Sequence, residues 1–214
     1  MKKTMKKIFV MMMSLLAAAG CFAQNEAGRW TLTPKVGVNM ATLTDPDIYV
    51  DNNEKMEYCN KVGFVVGGEV EYQLNRLLGL STGLLYSSQG TGMKDNSAFR
   101  DASLSLDYLN VPLTANIYFA PDVAVRIGVQ AGWAVRRHQE GDENIGNGHW
   151  QHNSTDDTNY RSFDLSLPIG LSWNIGAVQL DARYNLGLTN VTEYKLMKMR
   201  NRVLQLTVGY RFEL

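Results

Sequence analysis

Three histidines, His138, His149 and His152, fall in one polar stretch that also holds Ser154, Asp156 and Asp157. Imidazole, hydroxyl and carboxylate are the parts of a Ser-His-Asp acyl-transfer centre, and His149-Trp150-Gln151-His152 offers two imidazoles to a metal ion. Either chemistry needs its groups held at fixed distances by rigid neighbours, and the stretch from 136 to 161 has no apolar period that would build a rigid element. It reads as a polar loop, so the sequence assigns no catalytic residue, metal ligand or cofactor. A second cluster, Asp45, Asp47, Asp51, Glu54 and Glu57 around Lys55, lacks the spacing of an EF-hand and reads as a solvated acidic loop. A third, Lys195, Lys198 and Arg200 beside Tyr194, is a basic loop suited to anionic groups.

The remaining candidates are eight charges spread along the chain: Lys35, Arg126, Arg183 and Arg211 against Glu69, Glu71, Asp164 and Asp181. Each falls on the polar side of a segment in which apolar and polar residues alternate. The first segment sets Trp30, Leu32, Val36, Val38 and Met40 against Thr31, Thr33, Lys35, Gly37 and Asn39, and seven more follow, ending with Leu204, Leu206, Val208, Tyr210 and Phe212 against Gln205, Thr207, Gly209 and Arg211. Period two is the signature of a strand with one buried face. In the fourth segment Leu104 and Leu106 give way to Leu109, Val111 and Leu113, a change of phase that predicts a β-bulge near Tyr108.

Connections alternate as well. Asn75-Arg76, Phe119-Ala120-Pro121-Asp122 and Ile175-Gly176 are short, whereas 43 to 60, 90 to 103, 136 to 161 and 190 to 201 are long. An even number of strands with short turns on one rim and long loops on the other is the pattern of an eight-stranded, antiparallel, up-and-down transmembrane β-barrel. The polar face consists mainly of Gly, Ser, Thr and Asn, the small residues a narrow lumen can hold, so the apolar face is expected to meet lipid. Charges in such a lumen must be paired, which predicts an interior salt-bridge network of the eight charges rather than an open pore. Trp30, Tyr72, Tyr86, Trp133, Phe163, Trp173, Tyr210 and Phe212 sit near segment ends on the apolar face, as interfacial girdles require.

Bulk numbers fit this picture. The chain of 214 residues is 45% hydrophobic with 21 Lys+Arg against 21 Asp+Glu, and a mean hydropathy of −0.21 averages a lipid-facing row against a polar lumen and loops. Nothing indicates a nucleic-acid footprint or helical membrane spans. Residues 1–23, with Lys2, Lys3, Lys6 and Lys7, an apolar run from Ile8 to Ala19 and Ala23 at the exit, read as a cleaved signal peptide. Lipidation at Cys21 is the alternative. Residues 24–214 form one domain and retain a single cysteine, Cys59, so no internal disulfide forms.

Pro34-Lys35-Val36-Gly37-Val38-Asn39, Tyr108-Leu109-Asn110-Val111-Pro112-Leu113 and the C-terminal Val208-Gly209-Tyr210-Arg211-Phe212-Glu213-Leu214 resemble the outer-membrane β-barrel domain family of Gram-negative bacteria, the PorT-like, OmpA/OmpX-sized porin-family barrels. The family's C-terminal signal usually ends in an aromatic; here Leu214 ends it and Phe212 keeps an aromatic on the same face. The resemblance implies residence in the outer membrane, lipid and lipopolysaccharide as surroundings, and the outer-membrane assembly machinery as a partner during biogenesis. It also implies a non-catalytic structural or interaction role, with loops open to other envelope or extracellular proteins. A passive small-solute porin is the alternative, and a lipid-modifying enzyme comes third.

Overall fold

The computed structural model describes residues 27–44, 49–50, 54–55, 58–94, 99–145, 149–156, 160–192 and 199–214. The signal peptide expected over 1–23 lies outside them. Each alternating segment forms a strand: β1 (Trp30–Leu43), β2 (Tyr58–Gln73), β3 (Leu78–Met93), β4 (Phe99–Ala120), β5 (Val123–Asn144), β6 (Phe163–Ile175), β7 (Val178–Gly187) and β8 (Asn201–Tyr210). Phe212–Glu213 continues the line of β8. Neighbours in sequence pair antiparallel, and β8 returns to β1 from Lys35↔Gly209 to Leu43↔Asn201, which closes an up-and-down barrel with no free edge around its wall.

Burial settles which face is inside. Lys35 is 4% exposed and the adjacent Val36 is 53% exposed, so the polar row lines the lumen and the apolar row forms the outer wall. That arrangement is the reverse of a soluble barrel and leaves a broad apolar belt for lipid. Glycines permit the tight curvature. At Gly67 a Cβ would fall 2.1 Å from the Leu84 carbonyl oxygen, whereas at the adjacent Gly68 the nearest atom would be 3.7 Å away. Only the first of the pair is required by the close approach of the next strand.

Two expectations need correction. In β4 the residues Leu104, Leu106, Tyr108, Asn110, Pro112 and Thr114 are buried in one unbroken phase, so Leu104 and Leu106 face the lumen and the strand does not slip. A register irregularity does fall at Tyr108 as expected, but its extra residue is on the partner strand. Asp107 pairs with Arg136 but Tyr108 pairs with Ala134, leaving Val135 as the extra residue on β5. Leu104 and Leu106 misled because the end of the lumen nearest the long connections is apolar: Leu43, Leu104, Leu106, Tyr108, Val191 and Met199 pack there in one cluster.

The second correction concerns 136 to 161. Instead of a loop, β5 runs on to Asn144, pairs with the upper part of β4, and on its other side pairs with the strand Trp150–Thr155 from Gln139↔Thr155 to Asn144↔Trp150. This ribbon stands beyond the end of β6, with polar residues on both faces. A strand solvated on both sides carries no hydrophobic alternation, which is why the periodicity of 136 to 161 does not reveal it.

Candidate functional site

Five charged side chains meet in the middle of the lumen, none more than 4% exposed: Lys35 of β1, Glu69 of β2, Arg126 of β5, and Asp181 and Arg183 of β7. Glu69 is the hub. Its Oε2 accepts from Lys35 Nζ at 2.8 Å and Arg126 Nη2 at 2.7 Å, and its Oε1 accepts from Arg183 Nη2 at 2.8 Å. Asp181 accepts from Arg126 Nη1 and, through Oδ1, from Arg183 Nε at 2.9 Å. Neutral partners complete the cluster. Arg126 donates to Asn116 Oδ1 at 2.9 Å and Ser81 Oγ at 2.8 Å, and Lys35 donates to Gln179 Oε1 at 3.3 Å.

Small residues opposite make room for these long side chains. A Cβ on Gly170 would lie 2.7 Å from Arg183 Cβ, and one on Gly83 would lie 2.8 Å from Glu69 Cγ. The lumen is therefore crossed by a charge cluster tied to β1, β2, β3, β4, β5 and β7. Buried ion pairs of this kind tolerate desolvation only because nearly every donor finds an acceptor.

The other three charges of the expected network stand apart. Glu71 accepts a hydrogen bond from Tyr118 Oη at 2.7 Å near the periplasmic end. Arg211 lies half-buried on the link between β8 and Phe212–Glu213, and its Nε has no hydrogen-bond partner among the described residues. Asp164 sits high in the lumen, where Thr189 Oγ1 and Asn201 Nδ2 donate to it. The period of two placed all eight on the inner face but could not give their heights, and height decides which of them meet. Asp164 secures the segment 188–192, from which Val191 enters the apolar cluster. Below the mouth, then, an apolar layer lies over an ionic one.

On the outer wall the aromatics form two groups. Trp30 stacks near Tyr72 and Tyr210 near Phe212, each with centroids 4.7 Å apart, and Trp173 stands 53% exposed at the same end. At the other end Trp133 meets Phe163 and Tyr86 meets Phe64, each at 5.7 Å. Phe64, on the apolar row with Val66 and Val70, joins this group beside the expected girdle residues. Tyr86 Oη donates to Asp107 Oδ2 at 2.8 Å, where the apolar belt gives way to polar residues.

The ribbon brings together groups that the sequence left in a loop. His138 Nδ1 lies 2.9 Å from Asp156 Oδ1, and its Nε2 lies 3.3 Å from Ser154 Oγ. His152 Nδ1 lies 2.8 Å from Asp142 Oδ1. His149 is exposed. No group of three or more His, Cys, Asp or Glu among the described residues is arranged to hold a metal ion. Asp45, Asp47, Asp51 and Glu57, together with Asp157, Tyr194, Lys195 and Lys198, lie outside the described residues, and Arg200 is exposed.

A model of the outer membrane protein beta-barrel domain matches residues 22–193. No curated protein matches the chain. Among solved structures, Neisserial surface protein A is similar with a TM-score of 0.51 at 14% identity, covering 85% of this chain and 97% of that one. Ail, the attachment invasion locus protein of Yersinia pestis, is similar at 0.49 and 15%, covering 87% and 99%. OprG of Pseudomonas aeruginosa is similar at 0.43 and 10%, covering 89% and 99%.

Proposed function

This chain belongs to the outer membrane protein beta-barrel domain family and resides in the bacterial outer membrane, and we propose that it serves there as a plugged scaffold that displays its extracellular ribbon and loops to other molecules. The observation that carries this reading is the pair of side-chain layers, one ionic and one apolar, that lies across the lumen. A conduit needs a continuous wet path, whereas here Lys35, Glu69, Arg126, Asp181 and Arg183 bridge opposite walls beneath the cluster of Leu104, Leu106, Tyr108, Val191 and Met199.

Display is supported by how the chain distributes its length. Strands β4 and β5 have 22 residues each, against 10 in β7 and β8. At about 3.3 Å per residue the long pair rises well above the belt that lipid covers. Partners are envelope or extracellular proteins, or the saccharide and phosphate groups of surrounding lipopolysaccharide.

The test is crosslinking in intact cells with a photoreactive residue placed at Gln151, an exposed ribbon position. A discrete adduct that disappears when the probe is moved to the lumenal position Asn116 supports display. An adduct pattern identical at the two positions contradicts it.

A further inference from the structure

We propose that Ser154, His138 and Asp156 form an esterase site on the outward face of the ribbon, acting on carboxylic esters carried by glycolipids of the outer leaflet. Connectivity is the first argument. The imidazole uses Nε2 toward the Ser154 hydroxyl at 3.3 Å and Nδ1 toward the Asp156 carboxylate at 2.9 Å, the order in which a base accepts a proton from a nucleophile while a carboxylate holds its tautomer. Ser154 and His138 also stand on paired strands, and Asp156 directly follows Thr155, the last residue of its strand. Ser154 lies directly opposite Glu140, two residues from His138 on the same face, and Asp156 lies two residues from Ser154. Further out the ribbon is secured by Asp142 with His152 at 2.8 Å and by the Arg100 guanidinium over the Trp150 ring at 4.1 Å.

Placement gives the substrate class. His138 pairs with Ser105, whose neighbours Leu104 and Leu106 face the lumen, so His138 faces outward. It follows Trp133 of the outer aromatic group by five residues, one of them the bulged Val135. Four residues on a strand tilted by roughly 40° rise about 10 Å, the level of lipid headgroups. Lys61 supplies positive charge beside the site. Its Nζ donates to Ser105 Oγ at 2.6 Å and Ser103 Oγ at 3.2 Å, while Ser103 donates to Glu140 Oε1 at 3.1 Å. The Glu140 carboxylate is also 4.0 Å from His138 Nε2.

In the reaction Ser154 Oγ attacks the ester carbonyl carbon as His138 Nε2 takes the hydroxyl proton. The bond from acyl carbon to alkoxide oxygen breaks, and that proton passes to the departing alcohol. Water then attacks the acyl-serine, giving a proton to Nε2 that returns to Oγ as the carboxylic acid leaves. No oxidant or co-reactant is needed.

The proposal is independent of the display reading, which rests on the lumen. The test uses the full chain folded in vesicles containing lipopolysaccharide. A fluorophosphonate probe is expected to label Ser154, identified by peptide mass, and labelling is lost in Ser154→Ala. Release of ester-linked acyl groups from the vesicles is expected to fall about 100-fold or more in His138→Gln. All three side chains are solvent-facing, and the electrophoretic shift on heating checks that each variant keeps its barrel. Equal labelling of Ser154→Ala and the parent, or acyl release unchanged by either substitution, overturns the site. Turnover of a soluble p-nitrophenyl ester without release from vesicles overturns its assignment to leaflet lipids.

Discussion

Glu69 carries more of the lumen's organisation than any other residue, because three cations from three strands converge on its two oxygens. Removing it strands Lys35, Arg126 and Arg183 around a single remaining carboxylate in a site closed to bulk water. Glu69→Leu is therefore expected to lower the unfolding free energy by about 3 to 5 kcal/mol, measured by denaturant titration in liposomes. The exposed pair of Arg29 and Glu213, 2.9 Å apart with side chains 48% and 63% exposed, is the control. Glu213→Ala is expected to change stability by less than about 1 kcal/mol. A cost for Glu69→Leu no larger than that of Glu213→Ala would show that the cluster does not stabilise the barrel. Which residues face inward was legible from alternation at Lys35, Glu69, Arg126 and Arg183. That Asp164 belongs to a separate layer with Thr189 and Asn201 was not, since contact across a lumen depends on strand stagger, and stagger leaves no mark on a single strand's period.

Strands show the same division between what alternation reveals and what it conceals. Where one face meets lipid and the other a packed lumen, as in β6 from Phe163 to Trp173, every residue reports its side. Leu167, midway along that span, is on the outer row, so Leu167→Arg is expected to cost about 2 to 4 kcal/mol of folding free energy in liposomes, and an unchanged value would remove that strand from the lipid-facing wall. Where both faces meet water, as in Gln139–Asn144 and Trp150–Thr155, or where the lumen turns apolar, as at Leu104 and Leu106, the signal vanishes or inverts. Curvature is set by a different kind of residue. Gly67→Ala should sharply reduce the folded yield because its Cβ would strike the Leu84 carbonyl, whereas Gly68→Ala should leave the yield unchanged. Equal yields for the two variants, read from the heat-dependent electrophoretic shift, would mean that β2 and β3 do not approach as closely as the structure has them.

The molecule as a whole is a wall turned outward, with apolar residues toward lipid and polar and charged side chains buried along the lumen. The proposed closure rests on two layers of unlike chemistry. An ionic cluster at mid-lumen is bridged by Glu69 and Asp181, and an apolar layer above it is completed by Val191 and Met199 from the last extracellular connection. In the proposed plug each layer blocks what the other would pass, since ions avoid the apolar layer and apolar solutes avoid the buried charges. The proposed display at the cell surface requires a rigid, closed support, and that support is the central claim. Single-channel recording of the full chain in planar lipid bilayers, in concentrated KCl, tests it most directly. The expected result is a flat baseline from correctly folded, inserted protein, and reproducible open steps would contradict the sealed lumen and with it the proposed role.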